Sequence, residues 1–321
     1  MVAALLAGPG QVEYCDVPLP VPSPSQILVK IEGCGICPTH IPFWQGRIRY
    51  KSEPGAPGRD GWGRVVATGE NVRHLAEGDR VAILSSHAYA QYDIVEAHLA
   101  VRLPSTLDTD PFPGRSLSTA INIFRRAGIN PGDRVAILGV GFTATLLTQL
   151  CNLAQAETLV MSQRRCTLRY ARQLGADHVL PLDPVDQIED KTQILQAMHE
   201  SIGHSLFDIV IETTGTQVAL DVASELTRQR GRLVVAGRRH DGNRTVNMRL
   251  WNWRGIDVIN AHERSSSLYM EGLREAVAAV NANLITPAPL YTHRYPFERL
   301  SDALTLASER PEGFIKAIVD M

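Results

Sequence analysis

The stretch Gly33-Cys34-Gly35-Ile36-Cys37-Pro38-Thr39-His40 sets a thiol two residues before a hydroxyl and three before an imidazole, in a glycine-rich turn. Thiolate and imidazole are metal ligands, and a hydroxyl beside them can relay a proton. A second stretch, Gly58-Arg59-Asp60-Gly61-Trp62-Gly63, adds a guanidinium and a carboxylate. Together they supply the candidate catalytic residues Cys37, Thr39, His40, Arg59 and Asp60. Thr39 is the first choice for a proton relay or an orienting hydroxyl, with capping of local backbone as its alternative role. His40 and Tyr50 are candidate acids. Arg59 suits polarising a carbonyl or clasping a carboxylate or phosphate, against the plainer role of an ion pair with Asp60. His262 is a further candidate acid at a strand end, against an exposed helix start capped within Ser265–Ser267.

A different chemistry is written into RVAILGVGFTATLLTQL, residues 134–150. It reads as a buried strand, a tight turn and a helix. Gly139 permits the turn and Gly141 lets backbone approach a pyrophosphate at the helix N-terminus. Ala144 replaces the third glycine of a G-x-G-x-x-G pattern with a residue small enough for close packing. The alternative is a tight turn with no ligand. The following strand, TLVMSQRR, ends on Ser162, where an acidic residue would hydrogen-bond the ribose 2′-hydroxyl of NAD. Ser162, Arg164 and Arg165 instead suit a 2′-phosphate, so the expected cofactor is NADP(H). The competing reading leaves the two arginines as a solvated loop.

Two kinds of element must position these residues. The first hundred residues alternate short apolar runs (QILVKIEG, GRVVATG, DRVAIL, YDIVEA) with Gly and Pro, which predicts a compact, barrel-like β unit. From about residue 117 strands alternate with helices. Strands are expected near 134–138, 158–162, 178–181, 207–211, 231–236 and 256–260, a doubly wound parallel sheet. The tail from about 288 is strand-rich again, so the nucleotide-binding domain is read as an insertion at 117–287 in a β-rich domain formed by 1–116 and 288–321.

With those residues in view, the chain resembles the medium-chain dehydrogenase/reductase superfamily, the alcohol-dehydrogenase-like proteins. The likeness runs through the Cys37 turn, PGRDGWGRVVATGENV, GDRVAIL, PGDRVAILGVG, ARQLGADHVL, FDIVIETTG and GRLVVAG. It implies a GroES-like domain with an inserted Rossmann domain, and places Thr214 and Gly237 among the cofactor-binding positions. In zinc-dependent members the turn carries a Cys ligand and a Ser or Thr relay, which Cys37 and Thr39 match. His40 stands where the family has Asp, and Pro42 where it has a relay His. The second ligand, a His, is replaced by Arg59, and the third falls at Arg115. A guanidinium stays protonated and has no lone pair to offer. No catalytic zinc is therefore expected. Nor is a structural one, because only SSHAYA separates GDRVAIL from QYDIVEA where a four-cysteine lobe would lie. A rearranged metal site built from Cys37, His40 and Asp60 remains an alternative.

Zinc-free members of the superfamily are mostly reductases. The resemblance thus implies an NADPH-dependent reductase of a small activated carbonyl, iminium or alkene, in the manner of the quinone and enoyl reductases. A polyol or cyclitol dehydrogenase with an unusual metal site and a non-catalytic NADPH-binding protein stand beside it. Two arginines converging on one pocket favour an anionic substrate. The 321 residues carry a formal charge of −2, which gives no basis for nucleic-acid or anionic-membrane partners. Five sparse cysteines and no long apolar run point to a reduced, cytoplasmic protein. MVAALLAGPG reads as a first strand, not a signal peptide. A homodimer through the edge strand GIDVINA is expected by resemblance.

Overall fold

The computed structural model describes residues 1–49, 52–182, 199–200, 203, 206–237 and 242–321. The chain begins with strands β1 (Val2–Gly8), β2 (Gln11–Asp16), β3 (Gln26–Gly35), β4 (Gly61–Thr68), β5 (Arg80–Ile83), β6 (Tyr92–Glu96) and β7 (Ala100–Arg102). After the helix Gly114–Ala127 come β8 (Arg134–Leu138), β9 (Glu157–Ser162), β10 (His178–Pro181), β11 (Phe207–Glu212), β12 (Thr227–Val235) and β13 (Asp257–Asn260). The tail adds β14 (His293–Pro296) and β15 (Ala317–Asp320). Two compact units result, residues 1–119 with 264–321, and residues 120–263. The helix Ser266–Asn281 belongs to the first unit, whereas the sequence reading crosses back only near 288. Its Leu273 packs on Gly114, and the Tyr269 carbonyl accepts a hydrogen bond from Ser118 Oγ at 2.7 Å.

In the first unit a seven-stranded sheet runs β14-β15-β3-β4-β5-β7, with β6 paired to β3. Inward apolar residues such as Ile27, Val29, Ile31, Val65, Val81, Ile83 and Val319 form its core. The tail strand β15 lies antiparallel to β3, pairing Val319 with Cys34, and β4 pairs Gly61 with the same Cys34 from the other side. That register carries the Cys37 turn, Asp60 and Lys316 to one end of the sheet.

In the second unit the sheet is all parallel in the order β10-β9-β8-β11-β12-β13. Val135, Ala136, Ile137 and Leu138 of β8 are wholly buried, as expected of a central strand covered on both faces. The expected six strands are all present. The order reverses direction between β8 and β11, and ligands of such sheets bind outside the strand C-termini at that point. Helix ends follow local chemistry. Gly128 closes one helix in the left-handed region (φ +61°), and Thr216 Oγ1 accepts the Ala219 N–H at the start of another.

Candidate active site

Each unit carries its own set of candidate residues. In the first, Cys37 precedes a short 3-10 turn, Pro38–His40, and Thr39 Oγ1 donates to Cys37 Sγ at 3.1 Å. His40 is fully buried, and its Nδ1 shares a 2.9 Å hydrogen bond with the equally buried Tyr89 hydroxyl. The rings meet edge to face, with centroids 5.6 Å apart. Burial, reinforced by Cys34, Cys37 and Asp60, holds the Tyr89 hydroxyl well above the usual phenol range, so it stays a phenol. Burial likewise pushes up the neighbouring Cys34, which remains a thiol. Tyr89→Phe removes the bond to a buried imidazole and should lower stability by about 1–3 kcal/mol, read as a shift in the denaturant midpoint. Tyr50 lies outside the described residues.

Asp60 is 1% exposed at its side chain and Lys316 3%, and they form an ion pair of 2.6 Å. Ser116 closes the group: its hydroxyl donates to Asp60 Oδ2, its backbone N–H donates to Asp60 Oδ1 at 3.0 Å, and Lys316 Nζ donates to Ser116 Oγ at 2.9 Å. Asp60 therefore also serves as the anion at the N-terminal turn of the helix Gly114–Ala127. Arg59, next in sequence, does not take up Asp60. Its Nε is sealed from solvent without a hydrogen-bond partner among the described residues. The Arg115 guanidinium lies over the Tyr269 ring, 4.9 Å from its centroid.

This donor set does not fit a zinc ion of the kind the resemblance implies. Of the three ligand positions only Cys37 can donate, and Asp60 is engaged by Lys316. No group of three or more His, Cys, Asp or Glu side chains suited to a metal occurs among the described residues. Cys37, His40 and Asp60 are brought to one region but face different partners.

In the second unit, Gly139 follows β8 with φ +103°, and a Cβ there would lie 2.6 Å from Thr213 Oγ1 and 2.9 Å from Thr214 Cγ2. Gly141 is the N-cap of the helix Phe142–Leu153, in extended conformation and without a side-chain cap. A Cβ on Gly141 would meet nothing within 4 Å. There is thus room for a ligand group at the N-cap of a helix, a cradle that fits a pyrophosphate. Ala144 is buried beneath it.

Ser162, at the end of β9, is buried and works inside the turn: its Oγ accepts the Arg164 N–H at 3.1 Å and lies 3.3 Å from Thr167 Oγ1. The Arg164 guanidinium donates to the Val140 carbonyl of the glycine turn at 2.8 Å, and Arg165 is exposed. Thr214 and Gly237 are tied together through Glu212, which the sequence reading missed. Glu212 Oε1 accepts the Thr214 and Gly215 N–H groups at 2.6 and 2.7 Å, and its carbonyl accepts the Gly237 N–H at 2.7 Å. Its signal was an acidic residue directly after the apolar run Ile209–Ile211 at the end of the strand FDIVIE. His262 lies 3.5 Å from the Gly237 carbonyl, and Ser265 caps the helix that follows.

Comparison with known proteins agrees with both halves. Residues 23–105 match the alcohol dehydrogenase GroES-like domain and residues 139–279 the zinc-binding dehydrogenase family. Sorbitol dehydrogenase of Ovis aries is 25% identical over 339 aligned positions, covering 94% of this chain and 92% of its own length. Among solved structures, a putative zinc-binding dehydrogenase from Sinorhizobium meliloti bound to NADP superposes with a TM-score of 0.85 at 23% identity, covering 100% of this chain and 99% of its own. A short chain alcohol dehydrogenase from Escherichia coli complexed with NADH gives 0.87 at 19% identity, with the same coverage.

Proposed function

Since the chain belongs to the medium-chain dehydrogenase/reductase superfamily and is an NAD(P)-dependent oxidoreductase, we propose that it is a zinc-independent, NADPH-dependent reductase of a small activated carbonyl, iminium or alkene. The observation that carries the reading is the donor set at the family's metal position, where Cys37 is accompanied by Arg59 and Arg115 and the nearby carboxylate belongs to Lys316.

The nicotinamide cofactor, when bound, supplies the hydride. Gly141 and the uncapped helix behind it receive the pyrophosphate. Arg164, fixed on Val140 O, holds the 2′-phosphate, while Ser162 shapes the turn that presents it. Arg165 adds a second cation at the start of its helix. Glu212 fixes the Thr214 and Gly237 loops beside Gly139. Thr39 holds the proton for transfer at Oγ1, with Cys37 Sγ as its resting acceptor. His40 positions the turn from the interior through Tyr89.

Arg164→Ala tests the cofactor assignment: NADPH affinity should fall about 10–100-fold, the worth of a charge-assisted contact, while NADH affinity stays level. Equal losses for both would return Arg164 to a purely structural role. The NADP-bound relative is in line with this choice, while the NADH complex belongs to another neighbour.

A second reading, polyol oxidation, is favoured by the sorbitol dehydrogenase relatives. It requires NADP reduction with sorbitol or a cyclitol, where the leading reading requires none. Cytoplasmic work as a homodimer completes the proposal. Among the described residues β13 is one of the two edge strands of its sheet, with Val258 and Trp253 exposed nearby, and no described helix is long and apolar enough to cross a membrane.

A further inference from the structure

The loop carrying Arg59 is held with little freedom. A Cβ on Gly55 would lie 2.3 Å from the His87 carbonyl, one on Gly58 2.3 Å from the Tyr89 nitrogen, and one on Gly61 2.5 Å from Ala88 Cβ. Tyr89 N–H donates to the Gly55 carbonyl and Ala88 N–H to the Gly58 carbonyl, so the loop is laced to residues 87–89 along its length. On the other side Asp60 is locked to Lys316 and Ser116. Arg59 therefore leaves a rigid backbone, and no acidic side chain pairs with its guanidinium among the described residues.

Lys316 and Asp60 cancel each other. Arg59 and Arg115, which flank the hydrogen-bonded pair Asp60–Ser116, have no ion pair among the described residues. Arg115 rests on the Tyr269 ring, and Arg59 has a solvent-sealed Nε. A guanidinium remains charged, and sealing part of it from water without an acceptor is unfavourable unless an anion arrives. The fork of Arg is suited to two oxygens of one planar or tetrahedral anion.

We propose that Arg59 clasps an oxyanion of the substrate, a carboxylate or a phosphate ester, with Arg115 as the second cation of the same subsite. The inference rests on the reductase reading for what happens at the other end of the substrate, and names its class: a carbonyl, iminium or alkene carrying an oxyanion. The cation pair supplies orientation, so its loss acts on binding more than on the chemical step.

The test uses the whole chain, titrated calorimetrically with succinate and separately with inorganic phosphate, each with and without saturating NADPH. Wild type should bind one of the two in a saturable isotherm, and which one identifies carboxylate or phosphate. Arg59→Gln should weaken that binding about 10–100-fold, with partial recovery in Arg59→Lys and an unchanged denaturant midpoint. Once a substrate is in hand, Arg59→Gln should raise KM by a similar factor and change kcat less. No saturable binding of either anion to wild type, or equal binding by Arg59→Gln, overturns the inference. Because NADPH affinity is measured in the same series, a failure of the cofactor reading shows separately. The phosphate titrations are judged with NADPH saturating, which keeps the proposed pyrophosphate cradle filled, while the succinate titrations judge the anion subsite without cofactor.

Discussion

Gly141→Asp should fold as well as the parent protein and lose NADPH affinity by at least about 100-fold, since like charges brought together cost several kcal/mol. Folding should be untouched for three reasons. The backbone is extended at φ −123° and ψ −177°, which any residue adopts, and a Cβ there meets nothing within 4 Å. Aspartate is moreover a favoured N-cap residue, so helix energetics alone would choose it over glycine. A glycine in that place is explained by what must come near it. An aspartate would put a carboxylate where the proposed pyrophosphate would lie and compete for the first N–H groups of the helix. Gly139→Ala is the opposite case. At φ +103° and against Thr213 and Thr214, the added methyl should destabilise the second unit directly. Paired denaturant unfolding and fluorescence titration with NADPH distinguish the two outcomes. Retained NADPH binding in a folded Gly141→Asp protein would remove the pyrophosphate from this helix.

Asp60→Ala should destabilise the first unit by about 3–5 kcal/mol, the usual consequence of stripping one partner from a buried ion pair. Lys316 would remain almost sealed from water with its charge, and the Ser116 N–H and hydroxyl would lose the same acceptor. The helix Gly114–Ala127 would also lose the carboxylate at its positive end. The companion test is the double variant Asp60→Leu with Lys316→Met, which replaces the pair by apolar groups and should recover much of the loss. Thermal unfolding followed by near-ultraviolet circular dichroism reads both. Equal stability of Asp60→Ala and wild type would mean that the pair does not hold β15 against the Asp60 loop.

Much of this architecture is legible in the sequence because it is local. RVAIL, ETLVMS and FDIVIE are runs of one strand's length, and each reads as a buried strand from its own residues. The turn Gly139–Gly141 declares itself between a strand and a helix. The chemistry at the end of the first sheet is different, because its partners are remote in the chain. Lys316 reaches Asp60 across 256 positions, and Tyr89 reaches His40 across 49. Neither pairing leaves a spacing to read; a lysine inside the apolar run FIKAIV was the faint sign of the first. Ser162 shows the same limit from another side. Its place at the strand end was plain, but the way Arg164 N–H and Thr167 take up its hydroxyl depends on the folded turn. The helix Ser266–Asn281 follows the last parallel strand in sequence and so reads as part of the second unit. The packing of Leu273 on Gly114, the bond from Ser118 and the stacking of Arg115 on Tyr269 give it to the first.

The central claim is that hydride chemistry here proceeds without a bound zinc, and the zinc content of the purified full-length protein tests it most directly. Elemental analysis should find far less than one zinc per chain, and NADPH oxidation against a panel of enones, ketones and iminium ions should be unaffected by a chelator. One zinc per chain, lost in Cys37→Ala together with activity, would contradict the account and make polyol oxidation the leading reading.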